Sequence, residues 1–244
     1  MHLLLVLLRR TGRLSTTNNE TNIWIINVIN HVDQYLYGMH KKNIDFDEAF
    51  RRLESARRQK PSHPMLIAWE AIALHPKARF WGDEFVHKDK FKSIQLWNKA
   101  VRAGLLKMAN SVVDKALTPI VQYLIGMYEF YGRKDKKKAF EWYQKSAESG
   151  YPVAQHCLGY MYRFGVGLKH HDLNLAFQWH TKAAEQGHAY AQYDLAYMYE
   201  HGHGVNQNRS IAAEWYKLAG QQGLIIDKQS RWEYVPLHQL SMWE

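Results

Sequence analysis

The chain has 244 residues, 46% of them apolar and 14% aromatic, and a formal net charge of +9. That composition supports a buried core in one large domain or one elongated array. The single cysteine, Cys157, excludes an intrachain disulfide and therefore a disulfide-stapled secreted scaffold.

The chain opens on MHLLLVLLRRTGRL, where six consecutive apolar residues, Leu3 to Leu8, precede the basic pair. A secretory signal has a longer apolar stretch with its charge in front, and a membrane helix needs about 20 apolar residues. Neither is read here, and a cytoplasmic location is the default. Residues 1–21 are expected to be disordered. Segment 22–62 reads as an atypical helical hairpin or cap, in which Phe46, Ala49, Phe50, Leu53 and Ala56 share a helical stripe that Pro61 ends. A helix over 64–74 follows, bounded by His75–Pro76, inside a degenerate repeat spanning 63–104. Positive charge gathers in RRLESARRQK at 51–60 and RKDKKK at 133–138. No aromatic residues interleave with these charges as single-strand binding requires, so a solvated helix face and a solvated loop are predicted. Nucleic acid is not an expected partner.

From residue 118 onward the chain repeats itself. Leu158, Tyr160, Met161, Tyr162, Gly165 and Gly167 recur 37 residues later as Leu195, Tyr197, Met198, Tyr199, Gly202 and Gly204. Ala139, Trp142, Lys145, Ala147 and Gly150 stand 37 residues before Ala176, Trp179, Lys182, Ala184 and Gly187. The predicted units are 118–150, 153–187 and 190–223, with 105–117 as an insertion. In the first unit, Leu124, Met127 and Tyr128 precede a shorter loop. Each unit reads as two helices, A and B. Gly165, Gly167, Gly202 and Gly204 form the turn, because glycine accepts the positive φ that a tight reversal needs. Asp135 and Asp172 stand where they cap helix B, Thr118–Pro119 would start the first helix A, and Gly150, Gly187 and Gly223 close the units. Neither helix buries its aromatic face alone, so successive hairpins must stack. The tail 224–244 lacks the pattern and is assigned as a tail or cap.

The pattern A-x-x-x-L-G-x-x-Y-x-x-G-x-G, followed by A-x-x-W and K-A-A-E-Q-G, resembles the Sel1-like repeat family, relatives of the tetratricopeptide repeats. Ala196 stands where glycine is usual, and Leu218 where lysine is. The resemblance implies an all-α solenoid of stacked antiparallel helical hairpins wound as a right-handed superhelix. It also implies a non-catalytic scaffold or adaptor that binds a protein or peptide on a concave wall lined by the A helices.

On that wall the spacing i, i+4, i+7 predicts contact residues His156, Tyr160 and Arg163 in one unit and Tyr193, Tyr197 and Glu200 in the next. The first unit offers Gln122, Gly126 and Glu129. Tyrosine and arginine combine buried area with a polar handle and are enriched in interface hot spots. Tyr160 and Tyr197 stand equally well where they would pack between neighbouring A helices.

Chemistry finds little support. His201 and His203 flank Gly202, and His170 and His171 lie in the preceding turn. Stacking would bring these four imidazoles near one another as weak candidates for zinc, copper or nickel, but their spacing matches no recognised ligand pattern. They read more simply as polar decoration of a loop, and no metal is assigned. GVG at 165–167 lacks the GK[ST] ending and the preceding strand of a phosphate loop. His156 and Cys157 point about 100° apart on a helix, so the thiol has no base facing it and reads as small apolar filler. No enzyme, small-molecule substrate or cofactor is expected. The alternatives are an interaction module of a larger signalling or ubiquitin-ligase and quality-control protein, a basic-surface nucleic-acid binder, and a hydrolase like the cysteine-rich relatives that bind β-lactams. The single cysteine counts against the last.

Overall fold

The computed structural model describes residues 16–37, 45–74, 90–109, 117–222 and 224. The expectations for residues 1–15, for His75–Pro76, for Gly223 and for the tail beyond Leu224 lie outside them. Among the described residues there are α-helices and no strand: α1 (Thr16–Tyr37), α2 (Phe46–Gln59), α3 (Pro64–Leu74), α4 (Lys90–Arg102), α5 (Leu105–Ala109), α6 (Thr118–Met127), α7 (Lys136–Glu148), α8 (Pro152–Phe164), α9 (Leu173–Glu185), α10 (Ala189–His201) and α11 (Arg209–Gln221). Helix α1 begins inside the segment expected to be disordered, and α5 occupies the predicted insertion.

The pairs α6–α7, α8–α9 and α10–α11 are antiparallel hairpins, and each helix B also packs on the next helix A. That makes an α-solenoid whose contacts are mainly between neighbours. Upstream, α3 pairs with α4, and α1 with α2. Helix α3 has no polar face to expose: Met65 to Trp69, Ala71 and Ile72 are all at most 1% exposed. Glu70 is its one charged residue, and a helix apolar on nearly every side is buried on nearly every side.

Local chemistry sets the helix limits. Asp135, Asp172 and Asn208 each accept from backbone N–H groups of the first turn of α7, α9 and α11. The predicted cap Thr118 is instead the first helical residue; Leu117 precedes it and makes no side-chain cap bond. Helix α6 runs on into a π-helical turn, Tyr128–Gly132, and the shorter loop then needs Lys134 at φ 59°.

The two glycines of each turn do different jobs. Gly165 and Gly202, at φ 68° and 69°, end α8 and α10 in the left-handed conformation. The second glycine admits the preceding hairpin. A Cβ on Gly167 would lie 2.5 Å from the Lys136 carbonyl oxygen, and one on Gly204 would overlap the Leu173 carbonyl oxygen. Lys136 and Leu173 are the first residues of successive B helices. Backbone therefore meets backbone where consecutive hairpins stack.

A glutamine ladder joins the same junctions. Gln155 and Gln192 donate to the carbonyls of Ala147 and Ala184 at the end of the preceding helix B, at 3.2 Å each. Their own carbonyl oxygens accept from Gln186 and Gln222. In the first hairpin Ser149 stands where Gln186 stands in the second and is too short to bridge; Gln122 Oε1 is left buried without a partner.

The N-terminal helix is tied to this array. Tyr151, which precedes α8, donates its hydroxyl to Asp33 Oδ2 of α1 at 2.7 Å. The basic stretch of α2 is largely paired: Arg51 and Arg52 with Glu48, Arg58 with Glu54, and Arg57 with Glu70 of α3 at 2.7 Å.

Candidate functional site: the helix A face and a buried histidine cluster

The predicted contact face divides in two. His156 and Tyr160 are only 4% and 3% exposed, so neither is available to a partner. Both lie inside because α8 is packed by its own helix B, by α7 before it and, through His156, by α10 after it. In the first hairpin Gly126 and Glu129 are buried as well.

The remaining four residues are half-buried and interact with one another's surroundings. The Arg163 guanidinium lies 4.4 Å from the Tyr197 ring centroid, and its Nη1 is 3.3 Å from Asp194 Oδ1. Tyr193 packs on Tyr216, whose hydroxyl donates to Glu200 at 2.8 Å. His201 stacks on Tyr197 at 4.0 Å and donates from Nδ1 to the Tyr197 carbonyl, while His203 lies 5.6 Å from the same ring. The result is a continuous Tyr–Arg–His–Glu surface across the second and third hairpins. His170 and His171 are exposed in their turn, whose backbone lies against Gly165.

Beneath that surface is a cluster that the sequence reading did not find. His156 of α8, His180 of α9 and His188, just before α10, bring their rings together: His156 lies 5.4 Å from His180 and 4.8 Å from His188. Asp194 of α10 completes the group, its Oδ2 accepting from His156 Nε2 at 2.8 Å. The preceding hairpin carries the same arrangement as three tyrosines, with Tyr123 5.9 Å from Tyr143 and 5.4 Å from Tyr151. In the following one Tyr193 and Tyr216 are 5.2 Å apart, and Leu224 takes the third place. Asp194 itself stands where the two preceding units have Cys157 and Leu124. One hairpin junction thus replaces phenols with imidazoles and an apolar side chain with a carboxylate.

Glycine makes room for these rings. A Cβ on Gly126 would sit 2.5 Å from the Tyr143 ring, and one on Gly159 would sit 2.9 Å from His180. The third hairpin has Ala196 here, and the corresponding ring, Tyr216, is half-exposed and bonded to Glu200.

Burial sets the electrostatics. Loss of water holds the His180 imidazole down to about 3, with Asp194 opposing the effect and the electrostatics of His156 and Arg163 adding to it. His188 is likewise held well below the ordinary histidine value, first by burial and then by His156 and His180. Burial alone would raise the Asp194 carboxyl. The His156 hydrogen bond and the charges of His180, His156 and Arg163 overcome that and hold it below its usual range. His180 and His188 therefore stand as neutral imidazoles near an ionised Asp194 carboxylate. Elsewhere, burial pushes the Cys157 thiol up to about 12, which leaves almost no thiolate at neutral pH.

Among the described residues, the group of three or more His, Cys, Asp and Glu side chains that converges closely enough for a metal is His156, His180 and Asp194. No three of His170, His171, His201 and His203 form one.

Stacked two-helix units, each closed by glycine and joined backbone to backbone, define a helical-repeat solenoid. The chain belongs to the Sel1 repeat family, whose profile matches residues 77–105, 119–151, 152–188 and 189–224. It is similar to a solved Sel1 repeat protein from Oxalobacter formigenes, at 30% identity over 49% of this chain and 88% of that one, with a TM-score of 0.44. It is also similar to a protective antigen of uropathogenic Escherichia coli with an SLR fold, at 21% identity, 86% of this chain, 49% of that one and TM-score 0.41. An immunity protein from Pseudomonas aeruginosa matches at 14% identity, 80% of this chain, 82% of that one and TM-score 0.39. No curated protein matches the chain. Among the described residues no helix is long and apolar enough to cross a membrane.

Proposed function

We propose that this chain is a non-catalytic scaffold that binds a protein or peptide partner through the A-helix side of its second and third hairpins. Sel1 repeats characteristically mediate protein–protein interaction, and that general role applies to this member of the family. The observation that carries the more specific reading is the half-buried surface of Arg163, Tyr193, Tyr197 and Glu200 with His201 beside it. Its aromatic and guanidinium groups are already held by stacking and by the Asp194 ion pair, so docking orders few rotamers. The sequence-based face shrinks accordingly, because His156 and Tyr160 support it from below.

Affinity capture from a cell extract with the wild-type chain, compared with a Tyr193→Ala, Tyr197→Ala double variant, tests this. Removing both rings is expected to reduce recovery of the captured protein at least tenfold while helix content stays unchanged. Equal recovery by a folded double variant would remove this face from consideration.

A further inference from the structure

His180 is fully buried, and neither of its ring nitrogens has a hydrogen-bond partner. A buried polar group without a partner is costly, and native proteins fill such positions with a water or an ion. The tyrosines at the flanking positions avoid the cost: Tyr143 donates to Met127 Sδ and Tyr216 to Glu200. His180 is presented differently, flat against Gly159 and facing His156 and Asp194. The ligand atoms of His156, His180 and Asp194 all lie within 4.8 Å of one another.

We propose that His156, His180 and Asp194 form a binding site for one divalent transition metal of the zinc, nickel, cobalt or copper class. Neutral imidazole and carboxylate are the ligand types these borderline ions prefer. His156 and His180 belong to the second hairpin and Asp194 to the third, so the ion joins two stacked units. All three ligands are at most 4% exposed, which defines a closed structural site. Arg163 holds Asp194 Oδ1 and leaves Oδ2 directed at the imidazoles, the kind of outer contact that orients a ligating carboxylate. Its positive charge also weakens the site, since one carboxylate offsets only part of the combined charge. His188 is not a ligand: its Nδ1 accepts from the Ala191 N–H, so its proton sits on Nε2. Binding through His156 Nε2 replaces its hydrogen bond to Asp194 Oδ2 with the shared ion.

The test uses the untagged full chain, stripped with a chelator and exposed to Zn2+ or Co2+. The expected result is one equivalent of metal retained after gel filtration, a melting temperature raised by several degrees, and visible d–d absorption for Co2+. His180→Tyr, which installs the residue of the flanking hairpins, is expected to retain no metal. A His201→Ala, His203→Ala variant retains the full equivalent. If His180→Tyr loses helix content, Asp194→Asn decides instead, with at least a tenfold loss of affinity expected. The proposal is overturned if the wild type retains no metal, which would leave a buried water as the partner of His180. It is equally overturned if retention survives His180→Tyr or Asp194→Asn, or follows the turn histidines.

Discussion

Replacing Gly204 with alanine is expected to destabilise the chain by about 3–5 kcal/mol, whereas the same change at Gly202 costs about 1 kcal/mol. Both residues have φ near +70°, so both substitutions incur the left-handed penalty of an L-residue, roughly 1–2 kcal/mol. At Gly202 little else is involved, because the nearest atom to a new Cβ is Gln207 Cβ at 3.5 Å. At Gly204 the new methyl overlaps the Leu173 carbonyl oxygen. A backbone carbonyl at the start of a helix cannot step aside as a flexible side chain would, so the third hairpin must shift away from the second. Gly167 stands in the same relation to Lys136, and Gly167→Ala should open the preceding junction by the same mechanism. Thermal melting followed by circular dichroism checks the difference. About 10 °C or more is expected for Gly204→Ala and roughly 3 °C for Gly202→Ala. Equal shifts would show that the second glycine serves only its own turn.

The second large effect is a pH dependence that starts at the other end of the chain. Burial raises the Asp33 carboxyl to about 7, and the Tyr151 hydrogen bond only partly lowers it. Its folded-state pKa therefore lies above its unfolded value of 3.8. Between those two values the folded state holds a proton that the unfolded state has released, so stability falls as pH rises from about 4 to about 7. At 1.36 kcal/mol for each unit, the full span is roughly 4 kcal/mol, an upper figure because buried carboxylates gain from local relaxation. Asp33→Asn keeps an acceptor for the Tyr151 hydroxyl and removes the titration. The variant is expected to match the wild type at pH 4.5 and to exceed it at pH 8 by about 2–4 kcal/mol in denaturant melts. Parallel curves at both pH values would mean that Asp33 is solvated or paired in solution.

Asp33 lies on α1 and Tyr151 at the start of α8, so this contact joins residues 118 apart in sequence. Nothing in a periodic sequence announces such a bond. A period marks which residues face their immediate neighbours; α1 lies outside the repeat. The same limit applies to Arg57 and Glu70, which join α2 to α3 upstream of the clear repeats.

The repeat itself was legible, and for a physical reason. Each unit buries the same small residues, so Ala139, Ala176 and Ala212 recur, all at most 2% exposed. The start of α9 at Asp172 and the left-handed Gly165 and Gly202 also follow from local backbone chemistry. The histidine cluster was hidden by a register error of one residue. Setting Gln122 and Gly126 in the place of His156 and Tyr160 uses an offset of 34, but the structure sets it at 33 in this helix. Gly126 and Gly159 each face the helix B ring, and Glu129 and Tyr162 each accept from the cap of the next helix. The shorter first loop, with its π-helical turn, absorbs the remaining residues only after that point. With the correct register Tyr123 aligns with His156, as Tyr143 does with His180 and Tyr151 with His188. A column of tyrosines interrupted by histidines was the signal available. The open face predicted from the i, i+4, i+7 spacing failed for a separate reason: a helix packed on three sides exposes neither His156 nor Tyr160.

That burial is the claim on which both the partner surface and the metal site rest. Diethyl pyrocarbonate modification of the native chain, read residue by residue by mass spectrometry, measures it directly. His156, His180 and His188 should stay unmodified while His170, His171 and His201, all exposed, react readily. Reaction of His156 and His180 at rates like that of His170 would place them at the surface and contradict the stacking described above.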